Sequence, residues 1–189
     1  MRVKDFVEFI AAREYHRIAK ERGWKALGGV KPDPIISEYR FCNVRRNDDR
    51  VTKWIHGNLL EPFAEDDKLW FYMVIARLFN KPSTLHAFTY AQYSAWHPEA
   101  WRKKLKQLRE DDTIFNAAYI VSTNGHAMDK VDYVVDCILT PLWKARKVIS
   151  KIIAEAETLE QVHNILMSAQ GLGSFMAAQV VADLKYAGL

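Results

Sequence analysis

Apolar residues recur along most of this chain with the 3.6-residue spacing of amphipathic helices. Val3, Phe6, Val7 and Ile10 form the first such stripe, and Gly23 with Gly28-Gly29 ends the segment. Lys31-Pro32-Asp33-Pro34 favours extended backbone. From Ile35 the pattern predicts a helix with Ile36, Tyr39, Cys42 and Asn43 on one face. Asn47 or Asp48 is placed to cap a third helix that carries Val51, Trp54, Ile55 and Leu59. Asp66-Asp67 precedes an apolar helix, Leu69 to Phe79, in which Trp70, Phe71 and Tyr72 are core candidates. Pro82-Ser83-Thr84 and His97-Pro98-Glu99 open the next two. Ile114 to Ser122 mixes β-branched, aromatic and alanine residues and is assigned to helix from its surroundings. Val131 to Ile153 reads as a long helix that Pro141 kinks or splits. No segment alternates cleanly, so the expectation is an all-α fold of about eight to ten helices in one domain spanning residues 1–189.

The clearest supersecondary signal lies at about residues 158–187. Thr158 and Gln161 have the spacing of a capping box, and Leu159, Val162, Ile165 and Leu166 supply a stripe. Gly171-Leu172-Gly173 then reverses the chain, and Ser174 opens a helix with Phe175, Ala178, Val181 and Leu184 as buried candidates. Helix N-termini present partnerless amides and partial positive charge, which suit a phosphate. Gly171, Gly173, Ser174, Phe175 and Gln179 are therefore candidate DNA contacts, although a plain helical hairpin would show the same turn.

Glu38 to Arg50 concentrates arginine, carboxylate, amide and aromatic groups. Arg40, Arg46 and Arg50 are candidate phosphate forks, Tyr39 or Phe41 a stacking surface, and Asn43 a pyrimidine-edge partner. Asp49 is a candidate base or arginine partner. Structural roles compete throughout: Asp48 suits a helix cap, Asp49 with Lys53 an i,i+4 pair, and Phe41 and Trp54 the core. Arg13 and Arg17, with Lys20 and His16 nearby, add basic positions on the first helix. Asp183 stands in an apolar run and must either pair with an arginine or do chemistry. The basic run Lys103 to Arg109 reads as a solvated helix face before it reads as a groove contact.

The 189 residues are 49% hydrophobic and 26% charged with a net charge of +4, a globular composition that permits nucleic-acid binding without requiring it. Cys42 and Cys137 belong to no metal-spaced cluster and read as reduced thiols. No apolar run approaches the ~20 residues of a membrane helix, and no secretory pattern opens the chain. A cytoplasmic location with no membrane partner is the resulting expectation. No phosphate-binding GxxxxGK[ST] loop is present.

Two stretches, DPIISEYRFCNVRRNDDRVTKWI and GLGSFMAAQVVADLKY, resemble the α-glutamyl/putrescinyl thymine pyrophosphorylase family. That family includes phage amino acid:DNA transferases and the helical domain of 5-hydroxymethyluracil DNA kinases, and the likeness runs from Phe6 to Tyr186. The resemblance implies a helix-hairpin-helix, DNA-glycosylase-like fold. It also implies transfer of an amine, from an amino acid or a polyamine, onto pyrophosphorylated 5-hydroxymethyluracil in DNA with release of pyrophosphate. Arg46, Asp49, Arg50 and Asp183 would then be catalytic, and Arg13, Arg17, Tyr39, Arg40, Phe41 and Asn43 would bind substrate. The expected partners are DNA, a small amine or amino-acid donor and other enzymes of the modification pathway. No cofactor is required, although Mg²⁺ is a candidate helper. The alternative expectation is a non-catalytic DNA-binding domain that partners a 5-hydroxymethyluracil DNA kinase. A glycosylase-like repair role ranks below both, because no aspartate follows the hairpin at the expected distance.

Overall fold

The computed structural model describes residues 3–29, 33–39, 41–118 and 120–187. Among them there are helices and loops and no strand, so the fold is all-α. Chain contacts divide the protein into two compact units, Met1–Asp49 and Arg50–Leu189.

In the first unit, α1 (Val3–Arg22) ends where Gly23 takes a φ of 83°. A short 3-10 turn, Trp24–Leu27, follows. Helix α2 (Pro34–Glu38) starts as the sequence suggests, with Asp33 Oδ1 accepting from the Ile35 amide. It does not continue through Cys42: Tyr39 is extended, and the chain runs on without helix to a 3-10 turn at Arg46–Asp48. A helix of five residues cannot carry the face predicted across Ile36 to Asn43, and Ile36 alone of that set is buried. The stripe on α1 is exposed within this unit, with Val3 at 81% and Val7 at 57%. The unit's packing is concentrated lower on the helix, at Ala19.

The second unit is built around α4 (Leu69–Phe79). All eleven of its residues are buried, as expected of a helix apolar on every side. Helix α3 (Arg50–Ile55) runs without interruption into a π-helical turn, His56–Leu60. Helix α5 (Pro82–His86) and helix α7 (Pro98–Asp111) start at their predicted prolines, and between them lies a short α6 (Tyr90–Ser94), capped by Thr89, that the sequence pattern did not single out. The segment after α7 departs from expectation: residues 112–129 form a loop, not a helix. Ile114 and Val121 anchor it in the core, and the Asn116 amide donates to the Phe79 carbonyl at 2.9 Å. Its β-branched residues therefore peg a loop.

The segment predicted as a long helix kinked or split at Pro141 is helical in four consecutive stretches. These are α8 (Lys130–Asp132), a π-helical stretch Tyr133–Leu139, α9 (Thr140–Lys144) and α10 (Arg146–Ala154). Pro141 sits in the first turn of α9, where its missing N–H costs least. The π-helical stretch just before it absorbs the disruption.

The chain closes with α11 (Leu159–Met167) and α12 (Ser174–Leu184), and α12 packs against α4. The Thr158–Gln161 capping box is present. The buried face of α12 is Met176, Ala177, Val180, Val181 and Leu184, so Phe175 and Ala178 point outward instead of inward. On α11, Val162 and Leu166 are buried and Leu159 is exposed.

Candidate nucleic-acid interface and anion pocket

Helices α11 and α12 turn about Gly171 and Gly173. Gly171 has a φ of 82°, and a Cβ there would lie 2.4 Å from Ile138 Cδ1, so this position needs glycine on both counts. Gly173 caps α12 with a φ of −47° and open space around it. It carries no side chain that would cover the first turn of α12. Gly173, Ser174 and Phe175 are exposed, while Leu172 is fully buried and pins the turn to the core. His163 Nε2 lies 3.1 Å from the Ser174 carbonyl. The hairpin borders an open groove of about 560 Å³ whose opposite wall is the loop at Ile120–Asn124. Ile120 is 88% exposed there and Phe175 59%. The helix assignment for Ile114 to Ser122 hid Ile120 and Asn124 from the sequence reading. Gln179 is half-buried further along α12.

In the first unit a pocket of about 190 Å³ gathers five of the residues singled out as substrate contacts: Arg13, Arg17, Tyr39, Phe41 and Asn43. Arg40 lies outside the described residues. Arg13 donates to the Cys42 carbonyl, and its guanidinium lies 5.5 Å from the Phe9 ring centre and 5.3 Å from that of Phe41. These rings meet edge to face at 5.5 Å, so Phe41 is engaged by both Phe9 and Arg13. Arg17 is held at 2.9 Å by Glu14, with Glu21 at 3.1 Å and Asp48 at 3.6 Å. Its hydrogen bonds to Glu14 hold its pKa above the ordinary value and lower that of Glu14. The charge of Arg17 is thus largely answered within the unit.

The pocket also takes in His16 and Lys20, which the sequence placed beside the arginines without assigning them to the site, and Asp48, which it placed as a helix cap. Burial, aided by the charge of Lys20, pushes the His16 pKa down, and its ring sits 5.6 Å from that of Trp24. His16 and Lys20 lie three and seven residues after Arg13 on α1, so helical spacing was the signal that could have found them.

The proposed catalytic groups are not gathered here. Arg46 and Asp49 are half-buried at the 3-10 turn and are not among the pocket's lining residues. Arg50 opens α3 in the second unit. Asp183 is fully buried on α12 and receives two hydrogen bonds from Arg77, at 2.5 and 2.7 Å. Of the two roles open to it in the sequence, arginine partner is the one on display, and burial gives its carboxylate no route to a substrate in this conformation.

On α7 the basic residues stay near solvent, and several are answered by carboxylates at the start of α8. Arg102 and Lys106 pair with Asp132 at 3.0 and 2.8 Å, and Arg109 pairs with Asp129 at 2.7 Å. Among the described residues no three His, Cys, Asp or Glu side chains converge on a metal position, and no helix is long and apolar enough to cross a membrane.

The family described as the helical domain of 5-hmdU DNA kinase matches residues 1–189, the whole chain. The chain belongs to this family. Among curated relatives, the 5-hmdU DNA kinase of Bacillus phage SP10 is 25% identical over 175 residues, covering 83% of this chain. The match takes in 27% of that kinase, so the chain spans about a quarter of the relative's length. No solved structure matches.

Proposed function

We propose that this helical domain binds DNA in thymine hypermodification and presents a 5-hydroxymethyluracil, or its phosphorylated derivative, for modification. The observation that carries this reading is the α11–α12 hairpin, whose exposed Gly173–Ser174 corner at the N-terminus of an eleven-residue helix leaves room for a polyanion. The hairpin would work as a helix-hairpin-helix, as in DNA-glycosylase-like folds, holding backbone without reading sequence. The likeness to a kinase's helical domain supports a domain that partners a 5-hydroxymethyluracil DNA kinase. In the first unit, Arg13 and Lys20 offer positive charge to a phosphoryl or pyrophosphoryl group, with Asn43 and Tyr39 beside them.

A second reading is amine transfer onto the pyrophosphorylated base. It is favoured by His16, whose lowered pKa keeps the imidazole neutral near pH 7 in a cation-lined pocket. Such a group accepts the proton an attacking amine must shed, while Arg13 steadies the departing pyrophosphate. Asp49, the carboxylate first considered for this task, would serve by orienting neighbouring arginines. The donor set does not fit a resident Mg²⁺: Asp48 is the one carboxylate among the pocket's lining residues, which include the cations Arg13, Arg17 and Lys20. A Mg²⁺ ion would enter on the phosphates of the substrate, and no step is assigned to it.

Fluorescence anisotropy with duplexes that differ at one base, thymine or 5-hydroxymethyluracil, tests the first reading. Binding that weakens steeply with salt, and at least tenfold in Ser174→Asp, is the expected result. Affinity indifferent to Ser174→Asp overturns it. Nucleoside mass analysis after incubation with pyrophosphorylated DNA and an amine separates the two readings, since transfer yields an aminated base and free pyrophosphate.

A further inference from the structure

The second unit holds a cavity of about 210 Å³ that the candidate site does not use. Its walls include Trp54, Phe63, Tyr90 and Tyr93, and its polar groups are Asn58 and His86. Aromatic residues in a helical domain normally vanish into the core, as Tyr93 does at 2% exposure. Here Trp54 and Phe63 are half-buried and Tyr90 is 42% exposed, so ring surface is left facing an open space.

The walls are fixed in advance. Tyr93 donates to the Leu85 carbonyl at 2.9 Å, and Tyr90 donates to Asp66 at 2.6 Å. Phe63 lies flat on Tyr90, with centroids 3.8 Å apart and planes within 7°. Asn58 comes from the π-helical turn, where the Glu61 amide reaches back five residues to His56. Such turns recur at functional sites because the extra residue re-aims a side chain. The Asn58 amide nitrogen donates to the Trp54 carbonyl at 2.8 Å, which orients its oxygen as an acceptor.

We infer that this cavity takes one uncharged heteroaromatic ring, a pyrimidine extruded from a DNA strand. No Asp, Glu, Lys or Arg is among its lining residues, so an ionised ligand would enter without a counter-charge. The space is enough for a substituted six-membered ring. Flat aromatic walls with an acceptor and an imidazole at the edge suit stacking plus hydrogen bonding to a base edge. The choice of pyrimidine rests on the DNA-modification reading above, whereas the ring-binding chemistry does not.

The test is titration of the full chain with thymidine, followed by ¹H–¹⁵N NMR at the Trp54 indole N–H and the Asn58 side-chain amide. Saturating shifts at both are expected. Asn58→Asp, which puts a negative charge at the rim and gives up the hydrogen bond to the Trp54 carbonyl, is expected to weaken binding at least fivefold in a protein that stays folded by circular dichroism. Absence of saturating shifts at these two groups, or an Asn58→Asp protein that binds thymidine as tightly as the parent, overturns the inference. Putrescine displacing thymidine from the same signals also overturns it, in favour of a cation cage. Duplex binding without thymidine shifts sinks the cavity and spares the DNA reading. Thymidine shifts without duplex binding do the reverse.

Discussion

Arg77 clasps Asp183 across 106 residues of chain, with Nε 2.5 Å from one carboxylate oxygen and Nη2 2.7 Å from the other. The remaining guanidinium hydrogens reach Thr52 at 2.9 Å and Asn80 at 3.2 Å, so α3, α4 and α12 share one buried polar node. Removing one partner strands the other's charge in a low-dielectric interior, whereas removing both does not. Asp183→Ala is expected to cost about 3–5 kcal/mol, seen as a midpoint drop on the order of 10 °C by calorimetry. The double change Arg77→Met with Asp183→Leu should recover most of that loss. A single variant as stable as the parent would show that the clasp does not hold the helices.

The two hairpin glycines make opposite demands. Gly171→Ala meets both a φ of 82° and the Ile138 side chain, and is expected to destabilise by about 1–3 kcal/mol. Gly173→Ala meets neither, with a φ of −47° and open space, and should be neutral or stabilising by up to ~1 kcal/mol. Urea unfolding of both variants decides it, and equal effects would contradict the packing of the turn.

The all-α class, the starts of α4, α5, α7, α8, α11 and α12 and the turn between the last two were legible, because prolines, caps and glycines act locally. What stayed hidden depends on tertiary packing. The loop at 112–129 has residues a helix would accept, and only the pegging of Ile114 and Val121 into the core decides otherwise. Phe175 satisfied the helical period on either face, and its exposure follows from α12 meeting α4 along Ala177, Val180 and Leu184. Likewise, Arg13, Arg17, Tyr39, Phe41 and Asn43 were found by residue type and do share a pocket. His16 and Lys20 were seen only as helix neighbours of the arginines.

Acid sensitivity is expected to centre on Asp66. Burial acts to raise its pKa, but hydrogen bonds from Lys68, Tyr90, the Lys68 backbone and Tyr72 outweigh it and hold the carboxyl well below its ordinary 3.8. A carboxylate whose folded pKa is depressed adds stability that is present above the unfolded value and lost as pH falls through the folded one. Tyr72→Phe should therefore destabilise at pH 7 and still do so at pH 2.5, above the folded pKa, with the penalty shrinking only on further acidification. Urea midpoints at the two pH values check this, and a penalty that grows on acidification would refute the assignment.

The anion pocket should respond to pH in the opposite sense through His16. Its pKa lies below the usual 6.5 because burial and then Lys20 disfavour the charged ring. Glu14, Glu21 and Asp48 answer the charge of Arg17, which leaves Lys20 and Arg13 as the cations of the pocket to which a protonated His16 would add. Affinity for inorganic pyrophosphate, measured calorimetrically, is expected to rise as pH falls from 7 towards 5. Pyrophosphate itself titrates in this range, so the parent must be compared with His16→Gln, which should show the shallower rise. Arg13→Ala should weaken binding several-fold at every pH, and Arg13→Lys should restore little of it, since an ammonium lacks the planar fork that lies against Phe9 and Phe41. Identical pH profiles for parent and His16→Gln would remove the imidazole from the pocket's chemistry and leave Arg13 and Lys20 as its anion-binding groups.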